Sequence, residues 1–137
     1  MFILNGGAVS WRSSKQSVVA KSSTEAEYVA ASSAASEAVW MKEFLSELGV
    51  VPSASRSLAM YCDNIGAFSL AKEPTSHKNT KHIKRCFHNL CENVRDRDIE
   101  ICKVHTDLNV ADPLTKPVPR AKHDQHREAV GVRLLQI

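Results

Sequence analysis

SSTEAEYVAASSAASEAVWMKEFLSEL, residues 22–48, is the stretch on which the reading of the fold turns. A Ser or Thr oxygen can accept from a backbone N–H of the first helical turn. An acid three residues on can return the bond. Ser22 with Glu25 and Thr24 with Glu27 both have that capping-box spacing. Gly49 offers a left-handed stop and Pro52 forbids continuation, so a long helix is expected to end near Leu48. Its apolar stripe is Ala30, Ala34, Ala38, Met41, Leu45 and Leu48, at helical spacing. On a wheel of about 100° per residue with Ala30 at zero, the stripe spans about 0–80°. Glu27 falls at about 60°, inside it, and Glu25 at about 220°, on the far side. An acid on a core-facing stripe is costly without a partner. Glu27 is therefore either a cap complementing the helix dipole or a metal ligand aimed at a sheet.

Upstream, Asn5-Gly6-Gly7 separates two β-favouring runs, FIL and AVSWRSSKQSVVA. Asn-Gly is a hairpin signal because both central residues of a type I′ turn need positive φ. The first arm, residues 1–4, is short for so long a second strand, and the chain is expected to begin in the middle of an element. Downstream, residues 50–57 read as a Ser/Pro loop and Leu58 to Cys62 as a buried strand meeting a turn at Asp63-Asn64. Residues 65–72 read as a short helix stopped by Pro74. A basic loop then leads into a helix carrying Ile83, Phe87, Leu90 and Val94. Residues 99–104 form a further strand, followed by a loop, a helix start near Pro113 and a basic tail helix at about 120–129. This order argues a mixed α/β architecture.

The whole chain has 137 residues, 43% hydrophobic and 24% charged, with a formal net charge of +3. That is one domain's worth of ordinary globular composition, which excludes disordered and collagen-like classes. No apolar run approaches the ~18–20 residues that cross a bilayer, so no membrane association is expected. No basic n-region or long apolar h-region marks a signal peptide, and the expectation is a chain that is not secreted. The cysteines (Cys62, Cys86, Cys91, Cys102) include no C-x-x-C pair and suggest reduced thiols.

Asp63 closes an apolar strand, and in α/β sheets ligands gather beyond the carboxyl ends of strands. Equally, Asp63-Asn64 can be a turn that caps the next helix. Asp112 precedes Pro113, which also reads as an ordinary helix start. Three carboxylates from separate elements suit a divalent cation if they converge, and spacing does not establish that they do.

The runs SWRSSKQSVVAKSSTEAEYVA (10–30), YCDNIGA (61–67), TKHIKRCFH (80–88) and NVADPLTKP (109–117), with the tail PVPRAKHDQHREAVGV, resemble the ribonuclease H domain of copia-type retrotransposon Pol polyproteins. The resemblance implies a ribonuclease H-like mixed sheet flanked by helices. It also implies hydrolysis of the RNA strand of RNA–DNA hybrids by two-metal catalysis with Mg²⁺ or Mn²⁺ during reverse transcription. By motif, Glu27, Asp63 and Asp112 match the family's metal-binding acids, and His105 lies near the position of a loop histidine that assists product release or proton transfer. Family members carry a further aspartate on a first, central strand upstream of the hairpin. This chain shows no acid upstream of Glu25. Two-metal catalysis needs bridging geometry, so the expectation is a domain truncated at its N-terminus, lacking that strand, with crippled catalysis and weakened metal binding. The alternative is a non-catalytic retroelement remnant that binds nucleic acid or protein.

Between Lys72 and Arg97 seven Lys/Arg face three Asp/Glu, densest at Lys78, Lys81, Lys84 and Arg85. Such a cluster suits phosphate contacts with an RNA–DNA hybrid or other nucleic acid, and reads equally as a solvated helix face. His82, Cys86, His88 and Cys91 fall on opposite flanks of their helix, which argues against one zinc tetrahedron. His105 reads first as an exposed loop residue, and Trp11 and Trp40 read as core residues ahead of base-stacking platforms. The organisation expected is a ribonuclease H-like domain at 1–117 and a basic tail helix at 118–137. Expected partners are nucleic acid, the rest of a Pol polyprotein and a second copy through an exposed strand edge. The expected location is cytoplasm or nucleus.

Overall fold

In the computed structural model, residues 1–17, 19–20, 22–49, 56–63 and 81–133 are described. Among them the order is β1 (Phe2–Leu4), β2 (Gly7–Ser10), α1 (Ser23–Leu48), β3 (Leu58–Cys62), α2 (Lys81–Arg95), β4 (Ile99–Lys103), 3-10 turns at Thr106–Leu108 and Asp112–Leu114, and α3 (Arg120–Ala129). The architecture is mixed α/β, its strands forming two two-stranded sheets. The chain divides into two compact units, one of Met1–Lys15 with Val104–Ile137 and one of Gln16–Lys103. α3 shares a unit with the hairpin. Among the described residues no helix is long and apolar enough to cross a membrane.

In the Gln16–Lys103 unit, α1 begins and ends where its capping residues dictate. Ser22 is extended and its Oγ accepts from the Glu25 N–H at 3.2 Å. Gly49 adopts φ 65° and donates its N–H to the Ser46 carbonyl. The inward face differs from the expected stripe. Tyr28, Ser32, Ala35 and Ala38 are buried, with Glu25, whereas Ala30 and Leu48 are exposed. The cause is the partner helix. Tyr28 meets Phe87 of α2 edge-on, Ser32 Oγ donates to Asn89 Oδ1 at 3.4 Å, and the fully buried Ala35 permits close approach. Ile83 and Leu90 of α2 complete this core.

β3 and β4 pair in parallel, Leu58 with Ile99 through Cys62 with Lys103. A parallel pair needs a long crossover, and α2 lies within it. The α2 terminus is a Schellman motif built on Arg97 at φ 61°, with Asp98 N–H donating to Asn93 O and Arg97 N–H to Val94 O. Asp98 then ties three elements together. Its carbonyl accepts from Leu58 N–H at 2.9 Å, and its carboxylate pairs with Lys42 of α1 at 2.8 Å. The helix expected at 65–72 and, of the loop expected at 50–57, residues 50–55 lie outside the described residues.

In the other unit, Asn5 and Gly6 both take positive φ, 50° and 76°, between the paired Leu4 and Gly7, as a type I′ turn requires. The second strand stops at Ser10 and does not continue through residue 20 as expected. Its partner, β1, spans only Phe2–Leu4, and a strand extended past its partner leaves backbone groups unpaired. α3 also ends in a Schellman motif, here on Gly131 at φ 75°. A Cβ at Gly131 would lie 2.7 Å from the Gly6 carbonyl, and Ala8 N–H donates to Val130 O at 2.9 Å, so the helix end seats directly on the hairpin turn.

Candidate carboxylate sites and basic helix face

Glu27 sits in the second turn of α1, half-buried, while Glu25 is the more buried of the two. The wheel reading is corrected on this point, because α1 turns its Tyr28–Ser32 face toward α2. Burial first, then the neighbouring Cys91 and Glu27 groups, raise the Tyr28 phenol above its ordinary value. The Glu27 carboxylate therefore acts electrostatically on the α1–α2 interface. Asp63 follows β3 directly and is half-buried, at the carboxyl end of the parallel pair. Glu27 and Asp63 belong to the Gln16–Lys103 unit.

Asp112 and His105 belong to the other unit. Asp112 opens the second 3-10 turn, where a helix start was expected, and Ala111 holds the cap position. Its side chain is 5% exposed. Lys116 Nζ lies 2.9 Å from Asp112 Oδ2 and Lys122 Nζ 3.8 Å. Both lysines thus place positive charge beside this buried carboxylate, and Asp112 in turn helps to raise the Lys122 pKa. Lys122 also donates to Asp107 Oδ1 at 2.9 Å. That hydrogen bond is the main cause of the raised Lys122 pKa and of the lowered Asp107 pKa. His105 is exposed, and its Nδ1 accepts from the Asp107 N–H at 3.2 Å as a cap on the first 3-10 turn.

Within neither unit do three His, Cys, Asp or Glu side chains of the described residues gather as a metal site would need. Sequence reasoning missed the partners of Asp112. Lys116 lies four residues on, a spacing that could have been read, but Lys122 reaches it only through the placement of α3.

On α2, Lys81, Lys84 and Arg85 are exposed. Lys78 lies outside the described residues. Lys84 and Arg85 line an open groove with Ser32, His88, Asn89 and Glu92. His88 and Arg95 both approach Glu92, at 3.2 and 3.8 Å, and among the described residues no acid pairs with Lys84 or Arg85 of the groove. Trp11 and Trp40 are 60% and 56% exposed, against the core placement expected for them. Trp40 is turned outward by the same rotation of α1 that buries Tyr28.

The chain is 42% identical over 132 residues, 96% of its length, to the retrovirus-related Pol polyprotein from transposon TNT 1-94 of Nicotiana tabacum. It is 37% identical over 124 residues, 90% of its length, to those from transposons RE1 and RE2 of Arabidopsis thaliana. Its homologues are thus retrovirus-related Pol polyproteins of plant transposons, and the chain spans about a tenth or less of their length (10% and 8%). No family model and no solved structure matches it.

Proposed function

We propose that this chain is a retrotransposon-derived ribonuclease H-like segment of a Pol polyprotein that engages nucleic acid through α2 and, as these 137 residues alone, does not turn over RNA–DNA hybrids. The near-complete alignment with transposon Pol polyproteins carries the first part of this reading. Support for the second part comes from the basic face of Lys81, Lys84 and Arg85 beside an open groove, since phosphate contacts need accessible cations and carry no sequence information. The resemblance to ribonuclease H would add recognition by backbone shape and 2′-hydroxyls.

Support for the third part comes from the acids. Within its own unit Asp112 is paired with Lys116 and Lys122, charges that a cation would have to displace.

The test is incubation of the folded chain with a labelled RNA–DNA hybrid and Mg²⁺ or Mn²⁺, beside a Glu27→Gln control. The expected result is no cleavage, with salt-sensitive retention of the hybrid in a mobility-shift assay. Cleavage lost in the control would replace the inactive reading with an enzymatic one. Absence of any hybrid binding at low salt would remove nucleic acid from the proposal.

A further inference from the structure

The C-terminal half of α1 carries a second apolar face that is exposed among the described residues. Trp40, Phe44 and Leu48 are 56%, 46% and 52% exposed, and the Trp40 and Phe44 rings stack with centroids 5.5 Å apart at 10°. With Trp40 at zero on a wheel of about 100° per residue, Phe44 lies at about 40° and Leu48 at about 80°. The buried residues Glu25, Tyr28, Ser32, Ala35 and Ala38 span about 160–300° on the same wheel. The aromatic stripe is therefore diametrically opposite the face that packs on α2. Helices of soluble domains ordinarily keep one apolar face, and large exposed apolar residues in a row mark interaction surfaces.

The charge around the stripe is of one sign. Glu37 falls at about 60°, Glu47 at about −20° and Glu43 at about −60°, flanking or interleaving the three apolar residues. All three are exposed. The only basic residue of α1, Lys42, falls at about 200° and is paired with Asp98. An acidic rim on a chain of net charge +3 selects by charge complementarity. It also disfavours α1 of a second copy lying against this face, since glutamates would meet glutamates. A helix surface has no free backbone edge, so strand addition is excluded as the docking mode.

We propose that the Trp40–Phe44–Leu48 face of α1 docks a basic amphipathic helix of a partner protein. The partner's aliphatic residues at i, i+4 and i+7 cover the ring stack, and its Lys or Arg side chains meet Glu37, Glu43 and Glu47. The stripe is about 12 Å long, two helical turns, which is the span of three such anchors.

The test uses the full chain carrying Trp11→Phe, so that Trp40 alone reports. It is titrated with synthetic amphipathic helical peptides sharing a Leu stripe, flanked by Lys/Arg in one and by Glu in the other. A basic peptide with the stripe changed to Gln serves as control. The expected result is a saturable blue shift of Trp40 emission with the basic Leu peptide, at least tenfold weaker with either other peptide. Phe44→Ser, and the combined Glu37→Gln, Glu43→Gln, Glu47→Gln chain, each weaken it at least tenfold while retaining the parent circular dichroism. Equal affinity for acidic and basic peptides, or a Phe44→Ser chain that binds as the parent does, would overturn the proposal. A peptide-free dimer in sedimentation equilibrium that Phe44→Ser abolishes would overturn it too, by assigning the face to a second copy.

Discussion

Tyr28 and Phe87 meet edge-on across α1 and α2, ring centroids 5.6 Å apart and planes at 77°, and this contact decides which side of α1 faces inward. Edge-to-face pairs contribute beyond the area they bury. Tyr28→Ala and Phe87→Ala are each expected to cost about 2–4 kcal/mol. A double-mutant cycle by urea denaturation should return a coupling of about 1 kcal/mol. Strict additivity would show that the rings share a cavity without interacting.

Arg97 and Gly131 hold the same place in two Schellman motifs, with φ 61° and 75°. At Arg97 a side chain is kept at a conformational cost, so Arg97→Gly is expected to stabilise by about 1 kcal/mol in thermal or chemical denaturation. At Gly131 a methyl group would meet the Gly6 carbonyl at 2.7 Å. Gly131→Ala is expected to destabilise by at least about 2 kcal/mol, from strain and clash together.

The Asp107–Lys122 pair predicts a stability profile with two edges. Lys122 has its folded pKa raised above the ordinary 10.5, chiefly by the hydrogen bond to Asp107. Its contribution is therefore complete below that value and is lost as pH rises through the folded one. Asp107 has its folded pKa lowered from 3.8. Its contribution is complete above 3.8 and is lost as pH falls through the folded value. Asp107 is 73% exposed and Lys122 22%, so added salt should flatten both edges in part. Melting temperatures of the parent and of Lys122→Met, followed from pH 2 to 12, should converge at the extremes and differ most between them.

Lys42 and Asp98 form a partly shielded pair, side chains 17% and 33% exposed, where α1, the end of α2 and the start of β3 converge. Lys42→Met is expected to cost about 1 kcal/mol, more than a fully exposed pair would. Asp98→Ala should cost more than Lys42→Met, since it removes the carboxylate from the turn and leaves the lysine unpaired. Chemical denaturation of the two variants ranks them.

The elements legible in the sequence were those set by local chemistry. Ser22 and Gly49 bounded α1, Asn5-Gly6 marked the turn, and the short apolar run Leu58–Cys62 is β3, although not the buried strand expected, since Ala59 and Tyr61 are exposed and its other three residues only half-buried. What sequence reasoning misplaced depended on partners distant in the chain. A wheel that scores Ala and Leu as inward cannot know that Phe87 and Asn89 will draw Tyr28 and Ser32. The strand after the turn was drawn too long because its partner's length, not its own propensity, sets where a ladder stops. For the candidate site, Glu27, Asp63 and Asp112 were named from motif, but the lysines that neutralise Asp112 come from the turn after it and from α3. His105 was rightly read first as an exposed loop residue, and its capping bond to Asp107 was not foreseen.

The parallel ladder of β3 and β4 also bears on how the chain folds. Every rung, from Leu58–Ile99 to Cys62–Lys103, joins residues roughly forty positions apart. No tight turn can nucleate such a pair, and the loop-closure entropy is spent before the first rung forms. α1 and the hairpin, by contrast, form from neighbours in sequence. Docking of α2 on α1 shortens the effective loop by bringing Asp98 beside Lys42, so the helix pair should assemble first and the ladder close behind it. In phi-value terms, Tyr28 and Phe87 should be formed early in the transition state and Met60 and Ile101 late.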